Sequence, residues 1–269
     1  MDKGALLDRL GLAGEDRLAL AKVLDRAERA AARDIPAATD FLSPQQQAQA
    51  LGLLRLAGVR ETGYVLQGGY EGAERKILLF LPDWLEAEGA ESPIRCLRAA
   101  WQGPASSRRD GGLTHRDLLG SLMGLGIVRE KVGDILVGPD SADVLVLESV
   151  AGALLQSWTS AGRVKLRVSA VEPDGLHIPA PVRKEVRDTV SSLRLDAVAA
   201  SGFRLARGKA AALIESGKVQ LNWRECVKPD KLLEAGDVVS ARGFGKFELS
   251  EVGGLTRKDR ISIVLQVYV

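Results

Sequence analysis

Cysteine and histidine are scarce in this 269-residue chain, two of each, and the scarcity excludes several chemistries. Cys96 and Cys226 stand far apart with no C-x-x-C pair, so neither a zinc site nor a disulfide framework is indicated, and both are expected as reduced, packed thiols. His177 sits in a Pro/Gly stretch and His115 in a different segment, with no acidic partner placed by a motif; no metal or cofactor is expected. No apolar run approaches the roughly 18 residues that a membrane span requires. The N-terminus, MDKGALLDRLGLAGED, is acidic and broken by glycines, unlike a signal peptide. A cytoplasmic protein with no membrane partner and no small-molecule substrate is expected.

The remainder is ordinary globular composition, 46% hydrophobic and 27% charged, and long enough for two or three small domains. The net charge of +2 hides an asymmetry, because residues 181–269 hold 16 Lys/Arg against 11 Asp/Glu and everything before them is slightly acidic. The C-terminal third is the basic part.

The stretch LTHRDLLGSLMGL begins like a protein-kinase catalytic loop. A kinase needs an asparagine five places beyond the aspartate, and Leu122 stands there; the strand lysine upstream and the DFG downstream are also missing. Thr114 followed three places on by Asp117, before an apolar run, is instead a capping box that opens a helix. His115 and Arg116 beside it are candidates for an anion contact. The glycine-rich GGYEGAERK has the wrong lysine spacing for a phosphate loop, so Gly68 and Gly69 are expected to form a turn, with Glu74 and Arg75 paired.

Helical periodicity over residues 3–33 puts Leu20, Val23, Leu24, Ala27, Ala30 and Ala31 on one face, and Ser43 with Pro44 reads as the cap and first turn of another helix. A strand is expected at 77–81. From residue 94 the order is strand, helix, strand, strand, helix, strand: IRCLRAAW, THRDLLGSLMGL, GDILVG, ADVLVLE, SVAGALLQSWTSAG and RVKLRVSAV. This is the βαββαβ plait shared by ferredoxin-like and RNA-recognition domains. Its third strand, ADVLVLE, lacks the aromatics on which RNA-recognition motifs stack bases. After the linker EPDGLHIPAP, two short helices with Leu195, Val198, Ala199 and Ala206, Ala210, Leu213, Ile214 inward are followed by strands KVQLN, VVSARG and ISIVLQVYV. The expected fold class is α+β and multidomain, with a small mixed domain at 1–88, the plait at 89–175 and a helix pair on a small sheet at 181–269.

RLD, the basic start of RLARGKAAALIESGKVQLN, and LLEAGDVVSARGFGKF together resemble the RNA-binding domain named for ribosomal protein S-four. With GGYEGAERK, the HRDL helix and the plait in front of it, nearly the whole chain resembles the YlmH family of bacterial RNA-binding proteins. The resemblance implies a non-catalytic protein whose partners are structured RNA, rRNA or tRNA, on the large ribosomal subunit, acting on stalled peptidyl-tRNA in ribosome-associated quality control. Some relatives are linked to cell division, which leaves a cell-division adaptor as an alternative; an accessory to an RNA-modifying enzyme is another. The RLD triplet at 194–196 falls where the binding domain ordinarily has it, so Asp196 is expected to orient a basic neighbour and not to catalyse.

Side chains gripping structured RNA put guanidinium and ammonium groups on phosphates. The candidates are Arg204, Arg207 and Lys209 at the second helix, with Lys218, Arg194, Arg183, Arg187 and Lys246 extending the patch. Arg116, Arg129 and Lys131 frame the HRDL helix as a second contact, unless REK is a turn held by Glu130.

Overall fold

The computed structural model describes residues 3–12, 14–101, 112–179, 183–241 and 243–268. The chain divides into two compact units, Met1–Pro179 and Ala180–Val269. No helix among the described residues is long and apolar enough to cross a membrane.

The first unit opens with α1 (Lys3–Arg9), α2 (Gly14–Arg33), β1 (Ala37–Ala38), α3 (Pro44–Leu56), β2 (Tyr64–Gln67) and β3 (Ile77–Phe80). On α2 the apolar stripe buries Leu20, Val23, Leu24 and Ala30, while Ala31, near its end, is exposed. Ser43 accepts from the Gln46 backbone N–H and the Gln46 side chain returns to Ser43, a complete capping box with Pro44 at the first turn. The fully buried β3 is the centre of an antiparallel sheet of order β1-β3-β2.

The plait follows: β4 (Ile94–Ala100), α4 (His115–Gly124), β5 (Val132–Val137), β6 (Ser141–Leu147), α5 (Glu148–Ser157), a hairpin of β7 (Ser160–Ala161) and β8 (Val164–Lys165), and β9 (Arg167–Val171). Its antiparallel sheet has order β5-β6-β4-β9. Helix α5 ends at Ser157, earlier than expected, because Trp158 turns inward and donates its indole N–H to Ser121 Oγ at 2.9 Å. The two faces of β6 explain its unbroken apolar sequence. Val144 and Val146 face the helices with Leu118, Leu122 and Leu154, whereas Leu145 and Leu147 join Phe41, Ile77, Ile94 and Cys96 on the other side. That second face, open in RNA-recognition plaits, is here covered by the chain's first segment. Thr114 caps α4 with Asp117 in the expected box.

The second unit runs β10 (Arg183–Val190), α6 (Leu195–Gly202), α7 (Arg207–Glu215), β11 (Val219–Leu221), β12 (Arg224–Glu225), β13 (Val238–Ala241), β14 (Gly245–Leu255) and β15 (Ile261–Tyr268). The sheet is antiparallel with order β10-β15-β14-β13-β11-β12. Both helices pack on one face, where Leu195, Val198, Ala210 and Ile214 meet Phe247, Leu249 and Leu265. Three strands escape the sequence reading. The segment of β10 resembles a charged linker, β12 is only two residues long, and β14 carries three glycines and alternating charge. The second helix also starts only at Arg207, after the expected opening RLA, so Ala206 is its exposed cap position and not a core residue. Gly202 is needed where α6 meets β14, since a Cβ there would stand 2.4 Å from the Phe247 ring.

Candidate nucleic-acid interface

Asp196 organises the basic end of the second unit. It is 5% exposed, in the first turn of α6, and its carboxylate lies between two guanidinium forks. Arg194 donates through Nε and Nη2 at 3.2 and 3.3 Å, and Arg207, the first residue of α7, donates through Nε and Nη2 at 3.1 Å each. Burial by itself would raise the Asp196 pKa, but the hydrogen bonds from Arg194 and Arg207 outweigh it and hold the carboxyl below the usual range. Two cations on one carboxylate leave a surplus positive charge, with both arginines partly exposed. Arg207 Nη1 also reaches Ser191 Oγ at 3.4 Å. Lys209, in the first turn of α7, is exposed and has no ion-pair partner among the described residues. No side chain caps α7, and the positive end of its dipole lies beside these cations.

The other expected residues are dispersed. Arg204 occupies the exposed turn between the helices with φ 54°, so it does not share the α7 face with Arg207. Lys218 lies beyond the far end of α7, a helix about 12 Å long at the usual rise per residue, and so away from Arg207. Arg183, Arg187 and Lys246 are on sheet strands: Arg183 lies over the Tyr268 ring at 4.8 Å and Lys246 at 4.2 Å, and Arg187 pairs with Glu185 at 2.7 Å. The expected patch is therefore two groups, one around Asp196 and one on the sheet.

Sequence reasoning missed Arg257, Lys258 and Arg260 in the turn joining β14 to β15. Arg260 Nε donates to Thr189 Oγ1 at 2.9 Å, two residues from the serine that Arg207 contacts. Arg257 and Lys258 are exposed, and Thr256 Oγ1 accepts the backbone N–H groups of Lys258 and Arg260 to shape the turn. The signal was present as the charge run TRKDR after two glycines.

In the first unit the three candidates separate. Arg116 is exposed at the start of α4. Arg129 spends its guanidinium on the Val132 and Gly133 carbonyls, and Lys131 binds Asp40 at 2.6 Å. The REK turn is held by these ties and by Phe41 N–H donating to the Glu130 carbonyl at 2.8 Å, not by the Glu130 side chain. Asp134 accepts from Tyr70 Oη at 2.8 Å and from the Glu74 and Arg75 backbone N–H groups at 2.7 and 3.0 Å. The Arg75 guanidinium donates to the Phe41 and Val132 carbonyls, and burial, reinforced by the Arg129 charge, lowers its pKa to about 10. GGYEGAERK is thus a structural clamp onto the plait. Burial pushes the Cys96 thiol up to about 12, which keeps it protonated and inert. Among the described residues no cluster of His, Cys, Asp or Glu fits a metal ion.

Three family models match the chain: "YlmH, N-terminal" over residues 15–83, "Putative RNA-binding domain in YlmH" over 108–174 and "S4 domain" over 193–239. Ribosome-associated protein quality control protein P2 of Bacillus subtilis (strain 168) is 34% identical over 229 residues, which cover 85% of this chain and 86% of that protein. Among solved structures, Cell division protein ylmH from Streptococcus pneumoniae is similar with a TM-score of 0.46 and 22% identity, covering 60% of this chain and 93% of that one.

Proposed function

The chain belongs to the YlmH family, and from that premise we propose that it is a non-catalytic RNA-binding protein of ribosome-associated quality control. It grips structured RNA, rRNA or tRNA on the large ribosomal subunit in the cytoplasm, where stalled peptidyl-tRNA is held. The observation that carries this reading is the Asp196 constellation at the start of α7, inside the segment matched by the S4 model. A-form RNA hides its bases in a deep, narrow groove, so a protein holding it needs fixed cations at phosphate height. Asp196 fixes Arg194 and Arg207 without cancelling both charges, and Lys209 adds an exposed ammonium in the same first turn of α7. A guanidinium tied on its Nε side keeps an outward edge for a phosphate.

The same geometry argues for binding and against catalysis. Both Asp196 oxygens are engaged by arginines, and the low pKa makes the carboxylate a poor proton acceptor. Asp117 is held by the Thr114 backbone N–H at 3.0 Å and the Thr114 hydroxyl at 2.7 Å as a cap. The curated relative's name places that protein in ribosome-associated quality control. The reading is tested by pelleting the purified chain with separated ribosomal subunits, with and without peptidyl-tRNA. Selective pelleting with the large subunit, strengthened by peptidyl-tRNA, is expected; equal pelleting with both subunits or with neither would overturn it.

A further inference from the structure

The sheet of the second unit has two unlike faces. One lies under α6 and α7 and carries Phe247, Val239, Leu249 and Leu265. Across the other, strand register aligns Arg183, Tyr268, Lys246, Ser240 and Gln220 in one row. Alternation along each strand sets this row opposite Phe247 and Val239. Within it the Lys246 ammonium stands 4.2 Å from the centre of the Tyr268 ring and 5.5 Å from that of Trp223, and the Arg183 guanidinium lies 4.8 Å from Tyr268. The face also holds Glu248, 3.8 Å from Arg183 and 3.5 Å from the Tyr268 hydroxyl, so its charge is small. Aromatic residues are only 4% of the chain. Two of them alternate here with cations on a face that covers no core.

Trp223 adds an independent observation. The turn from β11 to β12 is made by Asn222 at φ 49° and Trp223 at φ 62°. A two-residue hairpin turn with both φ positive favours Asn and then Gly, and a bulky side chain at the second place is strained. Glycine would serve the fold better. Strain of this kind persists where a function uses the residue, and what tryptophan adds is its ring.

We infer that this outer face is a stacking platform for unpaired bases of an RNA strand. Trp223 and Tyr268 present the ring surfaces, and Arg183 and Lys246 hold the adjoining phosphates. The inference rests on the RNA-binding reading but concerns a separate surface, since Arg183 is about 23 Å along β10 from the end beside Ser191 and Arg207, at the usual rise of a strand. The start of α7 takes structured RNA, and the platform takes the single strand that leaves it.

The test uses the full chain with two labelled probes, octa-adenylate and a blunt RNA hairpin with a closed tetraloop. Trp223→Gly, which suits the turn, and Tyr268→Leu are each expected to weaken octa-adenylate binding about tenfold and to leave hairpin binding unchanged. Trp223→Phe keeps the affinity but removes a share of the tryptophan quenching that octa-adenylate causes. Arg207→Ala/Lys209→Ala weakens the hairpin and spares octa-adenylate. Octa-adenylate binding that ignores both platform variants, or quenching that survives Trp223→Phe in full, overturns the inference. A native protein that binds the hairpin but not octa-adenylate overturns the platform alone; binding of neither probe overturns the RNA-binding reading and the platform with it.

Discussion

Replacing Asp196 by asparagine separates the stability of the second unit from its charge, and the two are expected to move in opposite directions. The carboxylate accepts four N–H bonds from Arg194 and Arg207 at 3.1–3.3 Å. These are long for charge-assisted bonds, and the two arginine side chains are 39% and 48% exposed, so each bond is worth little by itself. The asparagine keeps one acceptor, turns an NH₂ group toward donors and leaves two like charges in contact. A loss of about 2 kcal/mol at neutral pH follows. The carboxyl pKa is held down in the folded state, so its contribution is present above the unfolded value of about 3.9 and disappears as pH falls through the lower folded value. The gap between native and variant should therefore narrow as pH falls below about 4. Hydrogen exchange of the α6 and α7 amides in a urea series at pH 7 and pH 3 measures it. Binding of hairpin RNA per folded molecule should become steeper in salt, by up to about 0.9 in the logarithmic slope, because one negative charge has gone. A variant as stable as the native chain at pH 7, or a gap as wide at pH 3 as at pH 7, would refute the role given to Asp196.

Two further outcomes follow from the same unit. Arg257→Ala/Lys258→Ala should lower the salt slope of RNA binding by about 1.5 without changing stability, measured by filter binding across a salt series; an unchanged slope removes the β14–β15 turn from the interface. Gly202→Ala places a Cβ against Phe247 at 2.4 Å and should cost about 1–3 kcal/mol in urea denaturation, whereas a neutral effect would mean that α6 shifts freely.

The elements with local signatures were legible in the sequence. Ser43–Pro44 and Thr114–Asp117 cap their helices because each box is closed within a few residues, and the alternating segments of the plait fall in the expected order. What escaped depends on distant partners. β10 and β14 are strands because each pairs with β15, and neither pairing is written in its own residues. The candidate site shows the same divide. Charge and motif placed Arg194, Arg207 and Lys209 correctly at the two helices, but charge alone does not say whether a cation faces solvent or a carbonyl. Arg116, Arg129 and Lys131 read as one basic group in sequence; in the fold Arg129 is spent on carbonyls of its own segment, whereas Lys131, like Arg75, ties the chain's first segment to the plait. Arg260 comes near Ser191 only because the hairpin returns beside Thr189.

The most direct measurement of the central claim is the affinity of the chain for the purified large ribosomal subunit across a salt series, native against Arg207→Ala/Lys209→Ala. The account predicts tight, salt-sensitive binding by the native protein, with the variant both weaker and shallower in salt by about 1.5 in logarithmic slope. Equal affinity and equal slope for the two proteins would contradict it.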